Sequence, residues 1–155
     1  SAVLFPRFKG AVTIAILVTM LIYQFILADT PFSMGAGGSS LSDNMVHLFV
    51  PVLVILDWLL FDAKGRFHIQ DPCLWCLLPM IYWGYTLIAA QLGVTCTAGS
   101  RYPYGFIDVD RLGFSQVALN VGLLLLGFLV LCYLIYGVDK LLSRGKKGEI
   151  LYITH

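Results

Sequence analysis

The sequence has few charged residues for its length. Lys, Arg, Asp and Glu make up 12% of the 155 residues, whereas hydrophobic residues make up 59%. A soluble domain carries about 25% charged residues. The net charge is only +1, so the chain lacks the basic surface on which nucleic-acid binding depends. The composition predicts an integral membrane protein surrounded by lipid and excludes a nucleic-acid partner.

Several catalytic and cofactor motifs are also missing. The sequence contains no GxSxG elbow, no Gly-rich phosphate loop and no HExxH motif. The His and Cys residues do not complete the four-ligand set of a structural zinc site. We therefore expect neither a metal nor a cofactor.

Pro6, Arg7 and Lys9 precede a full-length apolar segment with no small-residue cleavage site after it, so no signal peptide is predicted.

Four long apolar segments dominate what is present. They cover about residues 10–28, 44–61, 74–92 and 114–137. A helix needs about 20 residues to cross the ~30 Å hydrocarbon layer of a membrane, and each segment is close to that length. No internal repeat is visible. The pattern predicts an all-α, polytopic membrane protein with four transmembrane helices forming a single domain over residues 1–155.

The distribution of Lys and Arg predicts the orientation of these helices. If both termini and the second connection lie on the same side of the membrane, that side carries eight of the ten Lys and Arg residues. Positive residues accumulate in cytoplasmic segments. The termini and the second connection are therefore predicted to be cytoplasmic.

The second apolar segment contains the strongest catalytic candidate, His47. Pro51 has no backbone N–H, so the His47 carbonyl loses its helical hydrogen-bond partner. Asp43 lies four residues before His47 on the same helix face, and a carboxylate there can orient a histidine that acts as a general base. The alternative is a histidine that bonds a neighbouring helix for packing. Ionisable residues inside a membrane mark functional sites by default, which favours catalysis.

Asp57 and Trp58 lie near the other end of the same segment. Trp58 is close to the helix face of His47, whereas Asp57 is about 80° around the helix from it, at ~100° per residue. Asp57 is predicted to pair with Lys64, with Arg66 or with a polar group on another helix. Both residues are also candidates to line a site.

The third segment begins with a CxxC motif, Cys73 to Cys76. This spacing can bring two thiols together for disulfide exchange, which would make the chain a thiol oxidoreductase. The predicted topology places the motif on the reducing cytoplasmic side, where stable disulfides are rare. Cys96 is predicted on the opposite side and Cys132 within the fourth segment, so no second pair is expected beside the motif.

The connection before the fourth segment is aromatic and polar. Tyr102, Tyr104 and Asp108 lie in it, with Pro103 and Gly105 fixing a turn. We expect this loop to fold back as a roof over a site at the outer membrane surface, although aromatic residues also suit a plain interface belt. Asn120, in the fourth segment, is predicted to hydrogen-bond between helices.

These motifs, in their order, resemble a known family of bacterial membrane proteins described as having six predicted transmembrane helices. That family is related to the eukaryotic androgen-induced and androgen-dependent TFPI-regulating proteins. The resemblance covers nearly the whole chain and rests on Lys9-Gly10-Ala11-Val12-Thr13, His47 with Pro51, Asp57-Trp58-Leu59-Leu60-Phe61, Pro79 with Tyr82, and Tyr102-Pro103-Tyr104 through Phe106 and Asp108.

The resemblance implies a lipid-ester hydrolase. The eukaryotic relatives cleave fatty acid esters of hydroxy fatty acids with an intramembrane Thr nucleophile and a His base. The His corresponds to His47, whereas the Thr lies on an earlier helix with no counterpart here. The chain therefore looks like the last four helices of a six-helix bundle, and we expect no hydrolysis by it alone. The alternatives are a non-catalytic bundle that binds lipid or protein, and the thiol oxidoreductase.

Overall fold

All the regular secondary structure of the described residues is helical. The computed structural model describes residues 6–27, 41–96 and 100–153, except for the side chains of residues 41, 43 and 145–153. The elements, in chain order, are α1 (Pro6–Ile22), a first π segment (Tyr23–Leu27), α2 (Leu41–Asn44), a second π segment (Met45–Phe49), α3 (Val50–Phe61), α4 (Asp71–Trp75), α5 (Leu77–Gln91), a 3₁₀ turn (Gly105–Ile107), α6 (Val109–Leu112) and α7 (Phe114–Ile153). The predicted all-α class is thus confirmed.

Three helical stretches are long and apolar enough to cross a membrane. They are Pro6–Ile26, Asp71–Gln91 and Phe114–Arg144, and they contain most of the first, third and fourth predicted segments. The second predicted segment folds as a shorter apolar helix, Met45–Phe61. At ~1.5 Å per residue this helix is about 26 Å long, a little less than the hydrocarbon thickness. Its crossing of the membrane stays a prediction.

Pro51 fixes the place where the second π segment changes to α3. The Val50 N–H donates to the Met45 carbonyl, five residues back, which is the π pattern. Pro51 then falls in the first turn of α3, and it has no N–H to donate to a carbonyl of the preceding π segment. The irregularity that Pro51 predicts at His47 is therefore accommodated by a change of hydrogen-bond register.

The contacts divide the chain into two compact units. The terminal unit consists of Ser1–Asp71 and Leu134–His155, and the central unit consists of Pro72–Tyr133. In the terminal unit, α1 packs along α3 and also contacts the second π segment. In the central unit, a buried core joins the end of α5, the following loop and the start of α7; its members are Ala90, Tyr102, Ile107, Val117 and Val121.

Candidate functional site

His47 lies in a stacked aromatic pair within the terminal unit. Its ring faces that of Tyr23, with 3.9 Å between the ring centroids and 9° between the planes. Each residue belongs to one of the two π segments. A π segment inside an α-helix often marks a functional site, because it turns one side chain out of the regular helical order. Two such segments meet here through their aromatic rings.

Two buried amide side chains lie close to this pair in the chain, one in the first π segment and one at the end of α2. Gln24 follows Tyr23, and Asn44 lies three residues before His47; each is only 1% exposed. Polar groups are rarely buried among apolar helices unless they are hydrogen-bonded, since burial without a partner costs several kcal/mol. The Tyr23–His47 pair is therefore part of a polar layer in otherwise apolar helices. We refer to Tyr23, Gln24, Asn44 and His47 as the histidine layer.

Other predicted site residues of the second segment have different roles. The Asp43 side chain lies outside the part that the structure describes. Pro51 is buried at the start of α3. Trp58 is 2% exposed and stacks on Phe67, with the Lys64 ammonium 4.4 Å from the centroid of one of its rings. At eleven residues from His47, Trp58 belongs to the opposite end of this helical stretch.

Asp57 pairs with a cation on another helix. Lys9 Nζ donates to Asp57 Oδ2 and to Asp62 Oδ1, each at 2.6 Å. A partner on another helix was one of the alternatives for Asp57, and the structure identifies it as Lys9 of α1. The contact joins α1 to the end of α3, so Asp57 has a structural role in the terminal unit.

A second ion pair ties α1 to the start of α4. Arg7 Nε donates to Asp71 Oδ1 at 2.7 Å, while the His68 backbone N–H donates to Asp71 Oδ2 at 2.7 Å. Asp71 is 1% exposed. The sequence predicted no ion-pair partner for Arg7 or Lys9, because nothing local identifies their acidic partners, which lie 48 to 64 residues away.

Asp139 is a buried carboxylate that sequence reasoning did not single out. Its side chain is fully buried in the terminal unit, and Oδ2 accepts the Phe67 backbone N–H at 3.3 Å. Oδ1 has no hydrogen-bond partner among the residues that the structure describes. A charged residue within a predicted membrane segment would have been a signal for a functional or structural role. Asp139 did not give that signal, because it lies just after the fourth apolar segment, where the basic C-terminal tail begins.

The predicted roof residues form a folded loop in the central unit. Tyr102 belongs to the buried core, and this burial raises the pKa of its phenol above the ordinary tyrosine value. Tyr104 stacks on Phe106 with 5.4 Å between ring centroids. Asp108 caps α6 by accepting the Arg111 backbone N–H at 3.0 Å. These contacts give the loop a defined shape of its own.

Asn120 holds this loop against α7. Its Nδ2 donates to the Phe106 carbonyl at 2.9 Å, and its Oδ1 accepts from Gln116 Nε2 at 3.0 Å. The predicted hydrogen bond between two helices is therefore a bond between a helix and a loop. Tyr102, Tyr104, Asp108 and Asn120 all belong to the central unit, and His47 belongs to the terminal unit.

The CxxC cysteines have a neighbour that the sequence did not predict. All four cysteines are free; Cys73 is exposed, Cys76 is partly buried and Cys132 is fully buried. The Cys73 sulfur is 3.4 Å from the hydroxyl oxygen of Tyr133, the residue that follows Cys132 on α7. Within the described residues, no three His, Cys, Asp or Glu side chains come together in a way that could hold a metal ion.

The first helix contains two threonines, Thr13 and Thr19, whose hydroxyls could in principle act as nucleophiles. Thr19 Oγ1 donates to the Ala15 carbonyl at 2.9 Å, which is the bond back to its own helix that is common for Thr in membrane helices. Thr13 is 2% exposed. The Thr19 hydroxyl is thus engaged with the backbone.

Comparison with protein-family models, with characterised proteins and with solved structures found no match for this chain. The resemblance to the six-helix family therefore stays a hypothesis that rests on the motifs quoted above. The functional argument has to come from the geometry of the histidine layer.

Proposed function

We propose that the chain supplies the histidine base of a hydrolase that cleaves lipid esters inside the membrane. The observation that carries this proposal is the stacked Tyr23–His47 pair on two facing π segments. A histidine within apolar helices is costly unless it has a function or a defined set of partners. The geometry favours function, because the stack fixes the plane of the imidazole ring.

The stack itself does not involve the ring nitrogens of His47. A face-to-face contact occupies the π face of the imidazole, whereas Nδ1 and Nε2 lie at the ring edge, in its plane. One neutral ring nitrogen can accept a proton while the other donates a hydrogen bond. By fixing the plane of the imidazole ring, Tyr23 sets the direction in which the accepting nitrogen points. The contact uses the ring face and not that nitrogen, as a general base requires.

The reaction proposed at this site is acyl transfer from a lipid ester. A Thr hydroxyl attacks the ester carbonyl, and His47 takes the hydroxyl proton as the new C–O bond forms. The alcohol leaves with that proton, and water then cleaves the acyl-enzyme. By the family resemblance, the hydroxyl comes from a segment that precedes His47.

The membrane arrangement proposed with this reaction has four crossings. Met45–Phe61 would be the second crossing, with the termini on the cytoplasmic side. Exposed apolar side chains along α3 support contact with lipid, among them Val52, Leu53, Leu56 and Leu60. A lipid ester could then approach the histidine layer sideways from the membrane.

The test is hydrolysis by membranes from cells that express the protein from its own gene. The substrate is a fatty acid ester of a hydroxy fatty acid, and the released acid is measured by mass spectrometry. His47→Ala and His47→Gln should lower the rate by about 100-fold or more, as loss of a general base does. His68→Ala is the matched control, because His68 is exposed in a loop.

Each outcome of this assay has a definite meaning. Equal rates for wild type and His47→Ala would overturn the proposal, provided that both proteins are present at equal amounts. We expect the 155-residue chain alone, in lipid nanodiscs, to give no turnover. Turnover by that chain, lost in His47→Ala, would contradict this expectation and place the nucleophile within these residues.

A non-catalytic lipid-binding bundle is the second candidate. The backbone bond of Thr19 favours it, because a hydroxyl that donates to its own helix is not poised to attack an ester. Under this alternative, His47→Ala changes the thermal stability or the assembly of the protein and leaves ester hydrolysis in the membranes unchanged.

A further inference from the structure

Three of the four cysteines are gathered in one part of the central unit. The Cys73 sulfur is 3.4 Å from the Tyr133 hydroxyl oxygen, a contact that joins α4 to α7. Cys132 directly precedes Tyr133 on α7, and the Cys76 thiol donates to the Pro72 carbonyl at 3.4 Å. Cys96 lies after α5, where its thiol donates to the Arg101 carbonyl at 3.8 Å. We call Cys73, Cys76 and Cys132 the thiol cluster.

The members of the thiol cluster differ in accessibility. Cys73 is exposed, Cys76 is intermediate and Cys132 is fully buried. The residues beside Cys73 and Cys76 are also exposed and apolar, with Leu74 50% and Leu77 52% exposed. In a membrane helix such a face is covered by lipid. A reagent dissolved in the lipid therefore meets Cys73 first.

The backbone permits a bond between Cys73 and Cys76. In an α-helix, residues three apart have Cα atoms about 5 Å from each other, from a rise of ~1.5 Å per residue and a radius of ~2.3 Å. Cys76 sits between α4 and α5 with near-helical dihedrals, φ −60° and ψ −18°. Disulfides join Cα atoms that are about 4.4–6.8 Å apart. The two thiols can thus be linked with little movement of the chain.

We propose that Cys73 and Cys76 form a dithiol that reduces hydroperoxides of membrane lipids, with Cys73 as the attacking thiol and Cys76 as the resolving thiol. This inference is independent of the hydrolase proposal, since it uses only residues of the central unit. The oxidant belongs to a chemical class that concentrates in the lipid against which Cys73 lies. The predicted cytoplasmic location favours a disulfide that forms transiently and is reduced again by a cytoplasmic dithiol, which is itself oxidised to a disulfide.

The proposed reaction takes two steps. Cys73 sulfur attacks the terminal oxygen of the hydroperoxide; an S–O bond forms, the O–O bond breaks, and the lipid leaves as its alcohol with one proton. Cys73 is then a sulfenic acid. The Cys76 thiol attacks this sulfur, an S–S bond forms, the S–O bond breaks, and water leaves with the second proton. Two thiols are oxidised by two electrons and one hydroperoxide is reduced.

The experiment counts free thiols after oxidation. The reduced protein in lipid nanodiscs is treated with cumene hydroperoxide, which partitions into lipid, or with hydrogen peroxide, which remains in water. It is then denatured and labelled with a polymer-linked maleimide. The wild-type chain has four cysteines, so we expect four additions before oxidation and two afterwards. Cumene hydroperoxide should act faster than hydrogen peroxide at equal concentration.

Single variants assign the two thiols. Cys96→Ser is the matched control outside the thiol cluster and should still lose two additions, as should Cys132→Ser. Cys73→Ser should lose none. Cys76→Ser should leave a sulfenic acid on Cys73 that dimedone traps, and this adduct also tests the proposal if Cys73→Ser fails to fold.

Specific results would overturn the proposal. One is a Cys73→Ser variant that still loses two maleimide additions after oxidation. Others are a bridge of Cys73 to any residue other than Cys76, found by peptide mass spectrometry, and oxidation of Cys96 as fast as that of Cys73. If hydrogen peroxide acted as fast as cumene hydroperoxide, the proposal that the substrate is a hydroperoxide in the lipid would also be overturned.

Discussion

At the scale of single residues, the function proposed for the terminal unit depends on one ring contact. His47 was identified from the sequence because a histidine and a proline share an apolar segment. Its partner was not, because Tyr23 lies 24 residues earlier and only the packing of two helices brings the rings together. The proposed role of Tyr23 depends on its aromatic ring and not on its hydroxyl group.

Replacing Tyr23 tests which of these properties is used. Tyr23→Phe should retain most of the ester hydrolysis measured in membranes, because the ring remains. Tyr23→Leu removes the ring, and the loss of an aromatic pair of ~0.5–1.5 kcal/mol should lower the rate by up to about tenfold. A larger loss in Tyr23→Phe than in Tyr23→Leu would show that the hydroxyl takes part and that stacking is secondary.

The buried Asp139 carboxylate gives a prediction about stability. Asp139→Asn keeps an acceptor for the Phe67 N–H and removes a buried charge, so it should leave the thermal unfolding temperature equal or higher. Asp139→Ala leaves that N–H without its acceptor and should lower the unfolding free energy by about 1–3 kcal/mol. Thermal unfolding in detergent, followed by circular dichroism, measures both variants. Destabilisation by Asp139→Asn equal to that by Asp139→Ala would mean that the charge itself is required.

At the scale of elements, the position of the helices was predictable and the hydrogen-bond register within them was not. Length and apolarity identify α5, α7 and the helix that begins at Pro6. The π segments depend on which carbonyl each N–H selects, and only Pro51 indicates an irregularity in the sequence. The ion pairs of Lys9 with Asp57 and Asp62 depend on the rotation of α1 against α3, which composition does not specify.

Pro51→Ala tests whether the register change serves the site. Alanine restores an N–H that can bond the His47 carbonyl, so the second π segment can become continuous α-helix with α3. A shift of one residue rotates a side chain by about 100° around the helix, which would turn His47 away from Tyr23. We expect thermal stability to rise and ester hydrolysis to fall. A fall in both would indicate that Pro51 is needed for folding instead.

At the scale of the whole molecule, the composition predicts a membrane protein, and three helices are long enough to cross. The sequence could not show that the chain divides into two compact units, because this division depends on contacts between distant segments. Nor could it place Cys132 beside the CxxC motif, since that requires the register of α7 against α4. The candidate histidine was predictable; the groups around it were not.

The predicted orientation can be tested with a native cysteine. With the termini inside, Cys96 lies on the outer side and Cys73 on the inner side of the Asp71–Gln91 helix. A membrane-impermeant maleimide added to intact cells should therefore label a chain in which Cys96 is the sole cysteine. A chain whose sole cysteine is introduced by Arg66→Cys, in the connection predicted to be cytoplasmic, should be labelled only after lysis. Labelling in the reverse order would invert the topology.

The central claim is that His47 activates a hydroxyl nucleophile, and covalent capture tests it most directly. Membranes from cells that express the protein from its own gene are treated with a lipid-soluble fluorophosphonate, which reacts with activated Ser or Thr hydroxyls, and labelling is measured on the purified protein. The account predicts labelling of wild type and of His68→Ala, and a reduction by about 100-fold in His47→Ala. Equal labelling of wild type and His47→Ala, or no labelling of either, would contradict it.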